Sequence, residues 1–266
     1  MNASSSLPKK SLGQHWLRDA TVLAAMCDAA EVDAKDTVLE IGPGLGTLTE
    51  LLTKRAKAVV AVEFDQSLAQ ALPGSVEADN LSTVQQDILK FDLTTLPPKY
   101  KIVANIPYYL TSNLIRVMSE SMNPPALATL LVQKEVAMRV AATPGDMSLL
   151  SVSAQFYWEV SIGREVPAEL FTPPPKVDSQ ILILKWRTKP AFPGTDIQLF
   201  FQVVKAGFSA RRKTLLNSLS GGLRLEKPVV QDLLETAGIA PGLRPQALSL
   251  DQWHALYKVY HERLQP

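Results

Sequence analysis

The sequence predicts an α/β fold: an open, largely parallel sheet built from βα units, followed by a small all-helical C-terminal domain. Three observations predict it. Short β-branched runs alternate with helical patterns through the first two-thirds of the 266 residues, as expected of strands joined by crossover helices. The turn-rich stretch Lys189-Pro-Ala-Phe-Pro-Gly194 then reads as a linker, and no strand-like run of comparable strength follows it. Charge also changes sign there: residues 1–184 hold 15 basic and 20 acidic side chains, whereas residues 185–266 hold 12 basic and 6 acidic. The expected domains are 1–188 and 195–266.

Taken in order, β-branched runs predict strands over 37–41, 58–63, 83–86, 101–105 and 127–132. Helical patterns at 20–30, 47–54, 66–71, 112–121 and 134–142 fall before and between them. Two later candidates, 151–160 and 180–186, follow one another without an obvious long helix between them and are expected to form an antiparallel pair at the sheet edge. Beyond the linker, helices are expected over 196–206, 212–219, 228–237 and 250–262.

Composition narrows the class. Hydrophobic residues make up 46% and charged residues 20%, ordinary for a globular chain and incompatible with intrinsic disorder, collagen or coiled coil. The first ten residues carry charges but no apolar core of a signal peptide, and no later run approaches the roughly 18 uninterrupted apolar residues of a membrane span. A cytoplasmic location without membrane association is the expectation. The single cysteine, Cys27, has no disulfide partner, and His15, His254 and His261 lack metal-ligand spacing, so no metal is expected. The basic excess is densest from Lys185, Arg187 and Lys189 through Lys205 to Arg211-Arg212-Lys213. Such a run suits contact with a polyanion, a solvated helix face being the plainer alternative.

The first long strand runs into Gly42-Pro-Gly-Leu-Gly46, after which a helix begins. In open α/β sheets ligands sit at the carboxyl ends of the strands, and glycines there let backbone approach a bound molecule. Gly42, Gly44 and Gly46 follow G-x-G-x-G spacing, not the dinucleotide G-x-G-x-x-G, and Pro43 removes an N–H from any pyrophosphate cradle. The second strand ends at Glu63, where a carboxylate can accept both hydrogen bonds of a ribose diol. After the third, Asp87 can accept from an exocyclic adenine amine while Ile88 or Phe64 packs on the ring. With no phosphate-binding lysine or P-loop, an uncharged nucleoside is favoured, and S-adenosylmethionine fits better than NAD or ATP.

The fourth strand ends in Asn105-Ile106-Pro107-Tyr108. An exocyclic amine such as adenine N6 is a poor nucleophile because its lone pair is delocalised into the ring. Acceptors for both N6 hydrogens, the Asn105 side-chain oxygen and a backbone carbonyl near Ile106–Pro107, would draw the nitrogen towards a pyramidal shape. Pro107 fixes its own φ and keeps Ile106 extended, so that acceptor is preorganised. Tyr108 offers a flat face for the base. A sulfonium donor needs alignment more than activation, so no general-base histidine is expected.

These residues, with Lys10-Ser-Leu-Gly-Gln-His-Trp-Leu17 before them and Phe171-Thr-Pro-Pro-Pro-Lys-Val-Asp-Ser179 and Ala206-Gly-Phe-Ser-Ala-Arg-Arg-Lys-Thr214 after them, resemble the ribosomal RNA adenine N6-dimethyltransferases over almost the whole chain. The resemblance implies a Rossmann-like class I methyltransferase sheet. It implies S-adenosylmethionine as cofactor, S-adenosylhomocysteine as product, and cofactor contacts from position 15, Leu17, Gly42, Glu63, Asp87 and Asn105. It further implies dimethylation of two adjacent adenosines in the 3′-terminal hairpin loop of small-subunit ribosomal RNA within a pre-ribosomal small subunit, by a monomer. The family usually has Asn where this chain has His15, and a neutral imidazole replaces only part of an amide's bonding. In family members the Phe171 loop lies near the target base, which implies that Phe171 sandwiches the base against Tyr108. The C-terminal basic residues Lys205, Arg211, Arg212 and Lys213 are the expected RNA contacts. Two other readings remain: a large-subunit adenine methyltransferase of the macrolide-resistance type, which shares the tetrapeptide, and a mainly non-catalytic ribosome-assembly factor.

Overall fold

The computed structural model describes residue 9 and residues 12–189, 191–210 and 212–264. They form two compact units. One comprises residues up to 138 together with 158–186, the other 139–157 together with 187 onwards.

The first unit is built on a seven-stranded sheet. Its strands are β2 (Thr37–Ile41), β3 (Ala58–Glu63), β4 (Leu81–Gln85), β5 (Lys101–Asn105), β6 (Leu127–Gln133), β7 (Trp158–Val166) and β9 (Ser179–Trp186), in the order β4-β3-β2-β5-β6-β9-β7. The first five run parallel, whereas β9 is antiparallel to both β6 and β7. Val38, Leu39, Ile102, Val103, Leu130 and Leu131 are fully buried, as central parallel strands covered on both faces require. Strand order reverses between β2 and β5, the topological switch point that opens a crevice at the strands' carboxyl ends. A separate two-stranded ribbon pairs β1 (Trp16–Leu17) with β8 (Phe171–Thr172).

Helices α1 (Ala20–Ala29), α2 (Thr47–Arg55), α3 (Gln66–Ser75) and α4 (Thr111–Glu120) belong to this unit, and α5 (Lys134–Val140) follows β6. Their starts are chemically legible. Asp19 caps α1 by accepting from the amides of Thr21 and Val22, and Asp65 caps α3 through Ser67 and Leu68, satisfying donors that a helix N-terminus leaves free.

The second unit is helical: α6 (Leu149–Tyr157), α7 (Ile197–Phe208), α8 (Leu215–Leu223), α9 (Lys227–Thr236) and α10 (Leu250–Leu264). Met147, Val152 and Phe156 bury against Phe200, Val204, Leu234 and Trp253, so the chain before β7 contributes to this core as well as the chain after residue 187. Residues 151–160, read as one strand, divide at Trp158 into the end of α6 and the start of β7. Ser148 and Ser151 explain the helix: each hydroxyl accepts from the other's backbone N–H, a reciprocal cap. The expected edge pair exists as β7 with β9. Among the described residues no helix is long and apolar enough to cross a membrane.

Candidate active site

The carboxyl ends of β2, β3 and β5 open onto a cavity of about 250 Å³. The glycine loop comes first. Gly42 lies in the left-handed region at φ +68°, and a Cβ there would meet nothing nearer than the Asn105 carbonyl at 3.9 Å, so its bare side is available to a ligand. Gly44, at φ +57°, carries the Trp16 ring, which would lie 2.5 Å from an added Cβ. Gly46 departs from the sequence expectation. It caps α2 at φ +84°, a Cβ would come within 2.7 Å of Val76 and 3.0 Å of Leu72, and it is absent from the cavity wall. Its bareness serves packing against α3 and the residue after it, not cofactor approach.

Glu63, only 6% exposed, holds the loop in place. Its Oε1 accepts from the Asp65 amide at 2.8 Å and its Oε2 from the Gly44 amide at 3.1 Å. Each oxygen retains a lone pair, which leaves two acceptors for a ribose diol. Burial raises the Glu63 carboxyl above the ordinary range, and these amide bonds pull it back. Asp87 caps the 3₁₀ turn Ile88–Lys90 through Oδ1 to the Leu89 amide at 3.0 Å, which leaves Oδ2 for an exocyclic amine. Ile88 is buried and Phe64 is exposed, and both line the cavity. Leu17 in β1 lines it from the N-terminal side, where Thr47 Oγ1 donates to the Leu17 carbonyl at 3.0 Å. Bare glycine backbone, a buried diol acceptor, an amine acceptor and two apolar faces together fit S-adenosylmethionine.

At the end of β5, Asn105 Nδ2 donates to the His15 carbonyl at 3.3 Å. Its Oδ1 then has no protein donor among the described residues. The Pro107 carbonyl already accepts from the Leu110 amide at 3.0 Å, whereas no donor among the described residues reaches the Ile106 carbonyl. Two acceptors without a donor among the described residues, Asn105 Oδ1 and Ile106 O, thus come from consecutive residues of the cavity wall, and Ile106 as a whole is only 2% exposed. The half-buried Tyr108 is hydrogen-bonded through its phenol to Ser179 at 2.8 Å. Burial pushes that phenol above its ordinary pKa, so it stays protonated.

Phe171 does not face the cavity. It is 2% exposed, packs in the core with Leu17, Val22 and Ile181, and its strand pairs it opposite Leu17. The expected sandwich partner is therefore a core residue, because an alternating strand turns that side chain inward. The ring beside Tyr108 is His15, nearly parallel at 17° with centroids 6.1 Å apart. His15 Nδ1 lies 2.7 Å from the Pro173 carbonyl. A carbonyl only accepts, so Nδ1 carries the proton in this contact. His15 thereby ties the N-terminal segment to both the Asn105 turn and the segment after Phe171.

Trp16, Tyr109 and Glu40 also line the cavity, although no role was expected of them from the sequence. Glu40 precedes the glycine loop, is 1% exposed, and burial raises its carboxyl to about 8. An acid inside an otherwise apolar strand was the available signal. Of the basic residues, Lys205, Arg212 and Lys213 are exposed around the turn between α7 and α8, and Arg211 lies outside the described residues.

Known proteins match this arrangement. The family model for ribosomal RNA adenine dimethylase matches residues 6–262. The chain is 43% identical over 258 residues to a ribosomal RNA small subunit methyltransferase A of Dehalococcoides mccartyi, covering 96% of this chain and 89% of that protein. It is 41% identical over 264 residues to one of Moorella thermoacetica, covering 94% and 91%. Among solved structures, a dimethyladenosine transferase from Plasmodium falciparum superposes with a TM-score of 0.79 at 26% identity, over 94% of this chain and 98% of that one. The 23S rRNA methyltransferase ErmE superposes with a TM-score of 0.75 at 30% identity, over 92% and 98%. The chain belongs to the ribosomal RNA adenine dimethylase family.

Proposed function

We propose that this protein transfers methyl groups from S-adenosylmethionine to N6 of two adjacent adenosines in the 3′-terminal hairpin loop of small-subunit ribosomal RNA, within a pre-ribosomal small subunit. The observation that carries this reading is the pair of uncommitted acceptors, Asn105 Oδ1 and Ile106 O, in the wall of the cavity at the carboxyl ends of β2, β3 and β5. When bound, S-adenosylmethionine supplies an electrophilic methyl group on a sulfonium whose leaving group is a neutral thioether. Glu63 holds the ribose, Asp87 the adenine amine, and Ile88 and Phe64 the ring faces. Asn105 and Ile106 accept the two N6 hydrogens of the target and weaken the delocalisation of its lone pair into the purine. The rigidity of Pro107 means that little is reorganised as charge builds on nitrogen. Alignment in the cavity supplies most of the rate, and the proton lost from the product passes to water.

A small-subunit substrate is favoured over a large-subunit one by the 43% identity to a small-subunit methyltransferase against 30% to ErmE. Flipping a loop adenosine from its stack costs a few kcal/mol, offset by contacts along the strand. The basic residues around Lys205, Arg212 and Lys213 are the proposed source of phosphate contacts. The protein works in the cytoplasm as a monomer.

Mass spectrometry of RNA nucleosides, after incubation with labelled donor and undermethylated small subunits, tests the reading. The expected product is N6,N6-dimethyladenosine confined to the 3′-terminal fragment. Asn105→Ala is expected to keep the circular dichroism spectrum and lose at least about 100-fold in rate, the scale of one removed transition-state hydrogen-bond partner. Labelling of large subunits alone would overturn the substrate assignment, and robust dimethylation by Asn105→Ala would overturn the acceptor role.

A further inference from the structure

Two tyrosines follow one another after Pro107, and their surroundings differ. Tyr108 is half-buried with its phenol tied to Ser179. Tyr109 also lines the cavity, yet it is 64% exposed, and its hydroxyl has no partner among the described residues. One edge of its ring faces Gly13, where an added Cβ would sit 3.8 Å from Tyr109 Cε1 and 3.9 Å from Cδ1. The backbone beneath it is held, because the Leu110 amide donates to the Pro107 carbonyl at 3.0 Å and Thr111 Oγ1 donates to the Tyr108 carbonyl at 3.0 Å.

A single exposed aromatic needs no explanation by itself. This one stands one residue from the ring that faces the target base, on a turn already ordered, at the rim of the same cavity. A base flipped into that cavity leaves its neighbour in the strand with an uncovered face. Aromatic rings bind such faces regardless of base identity, and a backbone already held lowers the entropic cost of presenting one.

We propose that Tyr109 is the stacking platform for the nucleotide adjoining the target adenosine, so that the Tyr108-Tyr109 pair holds two successive bases, one inside the cavity and one at its rim. This rests on the proposed function and deepens it. Strand polarity places the same-side neighbour on the platform whichever of the two adjacent adenosines is inside, and because stacking on an aromatic ring tolerates any base, loss of the platform affects both.

The test compares methylation of undermethylated small subunits by the full-length wild type and by Tyr109→Ala, Tyr109→Leu, Tyr109→Phe and Tyr109→Trp. The Ala and Leu variants are expected to raise KM for small subunits about tenfold, the usual scale of one base–aromatic stack, with both adenosines affected. Phe and Trp are expected to restore it, since a flat face is needed and apolar bulk alone is not. Affinity for S-adenosylhomocysteine, measured by calorimetry, is expected to stay within twofold throughout. An unchanged KM in Tyr109→Ala, or a Leu variant as good as Phe, overturns the platform while leaving the assigned reaction standing. A wild type that fails to methylate small subunits overturns the assigned reaction, and the platform with it.

Discussion

Asn105 and Glu40 illustrate what burial does to two polar side chains on neighbouring strands. Asn105 uses an N–H on the His15 carbonyl, and its side-chain oxygen has no donor among the described residues, as the acceptor role proposed for it requires. Glu40 is the opposite case, a carboxyl with no exposed surface to hydrate its charge. In the folded protein it titrates at about 8, desolvation being the largest cause, whereas in the unfolded chain it titrates near the ordinary value for glutamate. Between those values the folded state holds a proton that the unfolded state has released. Stability is therefore fully present below the unfolded pKa and falls as pH rises, by about 1.4 kcal/mol per pH unit, levelling off above the folded pKa. Glu40→Gln removes the titration. Denaturant unfolding of the ligand-free protein is expected to show a markedly flatter stability profile for the variant between about pH 5 and pH 7, with the variant the more stable of the two at the upper end. A variant that loses stability with pH as steeply as the wild type would place the responsible proton elsewhere.

The loop from Gly42 to Gly46 divides its work between glycines that look equivalent in the sequence. Gly42 has open space beside it and Gly46 does not: the Val76 and Leu72 side chains would meet its Cβ at 2.7 and 3.0 Å. Both have positive φ, so alanine costs about 1 kcal/mol of backbone strain at either position. At Gly46 steric collision adds to it, for an expected total of about 2–3 kcal/mol. Chemical denaturation is expected to rank Gly46→Ala well below Gly42→Ala in stability. Calorimetry with S-adenosylhomocysteine is expected to give the reverse order of damage: weakened binding for Gly42→Ala and near-normal binding for folded Gly46→Ala. The G-x-G-x-G spacing marked the loop as a ligand site, but which glycine faces the ligand depends on α3, a contact remote in sequence. The same limit governed other elements. The central strands and their crossover helices were legible because burial on both faces leaves near-continuous apolar runs. Residues 151–160 were not, because an apolar run of that length satisfies strand and helix alike; the Ser148-x-x-Ser151 cap that decides it lies at the start of the run. Phe171 was misplaced for a related reason: a motif specifies the neighbourhood of a segment, while β-pairing with β1 decides which way each side chain turns.

At the scale of the molecule, charge is partitioned between the two units. The sheet unit carries 15 basic and 19 acidic side chains and the helical unit 12 basic and 7 acidic. A near-neutral chain of net +1 thus contains one unit that repels a polyanion and one that attracts it. Such a division suits an enzyme whose cavity takes a single base and whose affinity for the strand is supplied elsewhere. Lys205, Arg212 and Lys213 are exposed and make no ion pair with a described residue, so their charge is available to phosphates. Each phosphate contact releases condensed counterions and steepens the fall of log K with log salt by about 0.7 to 0.9. Arg212→Ala combined with Lys213→Ala is expected to weaken binding to small subunits and to make that salt dependence shallower by up to about 1.4–1.8, the value for two contacts. Affinity for S-adenosylhomocysteine is expected to be unchanged. The two readouts separate the roles of the units: an unaltered salt slope would remove these residues from the RNA contact, and a loss of cofactor binding with RNA binding intact would show that the substitutions act on the sheet unit instead.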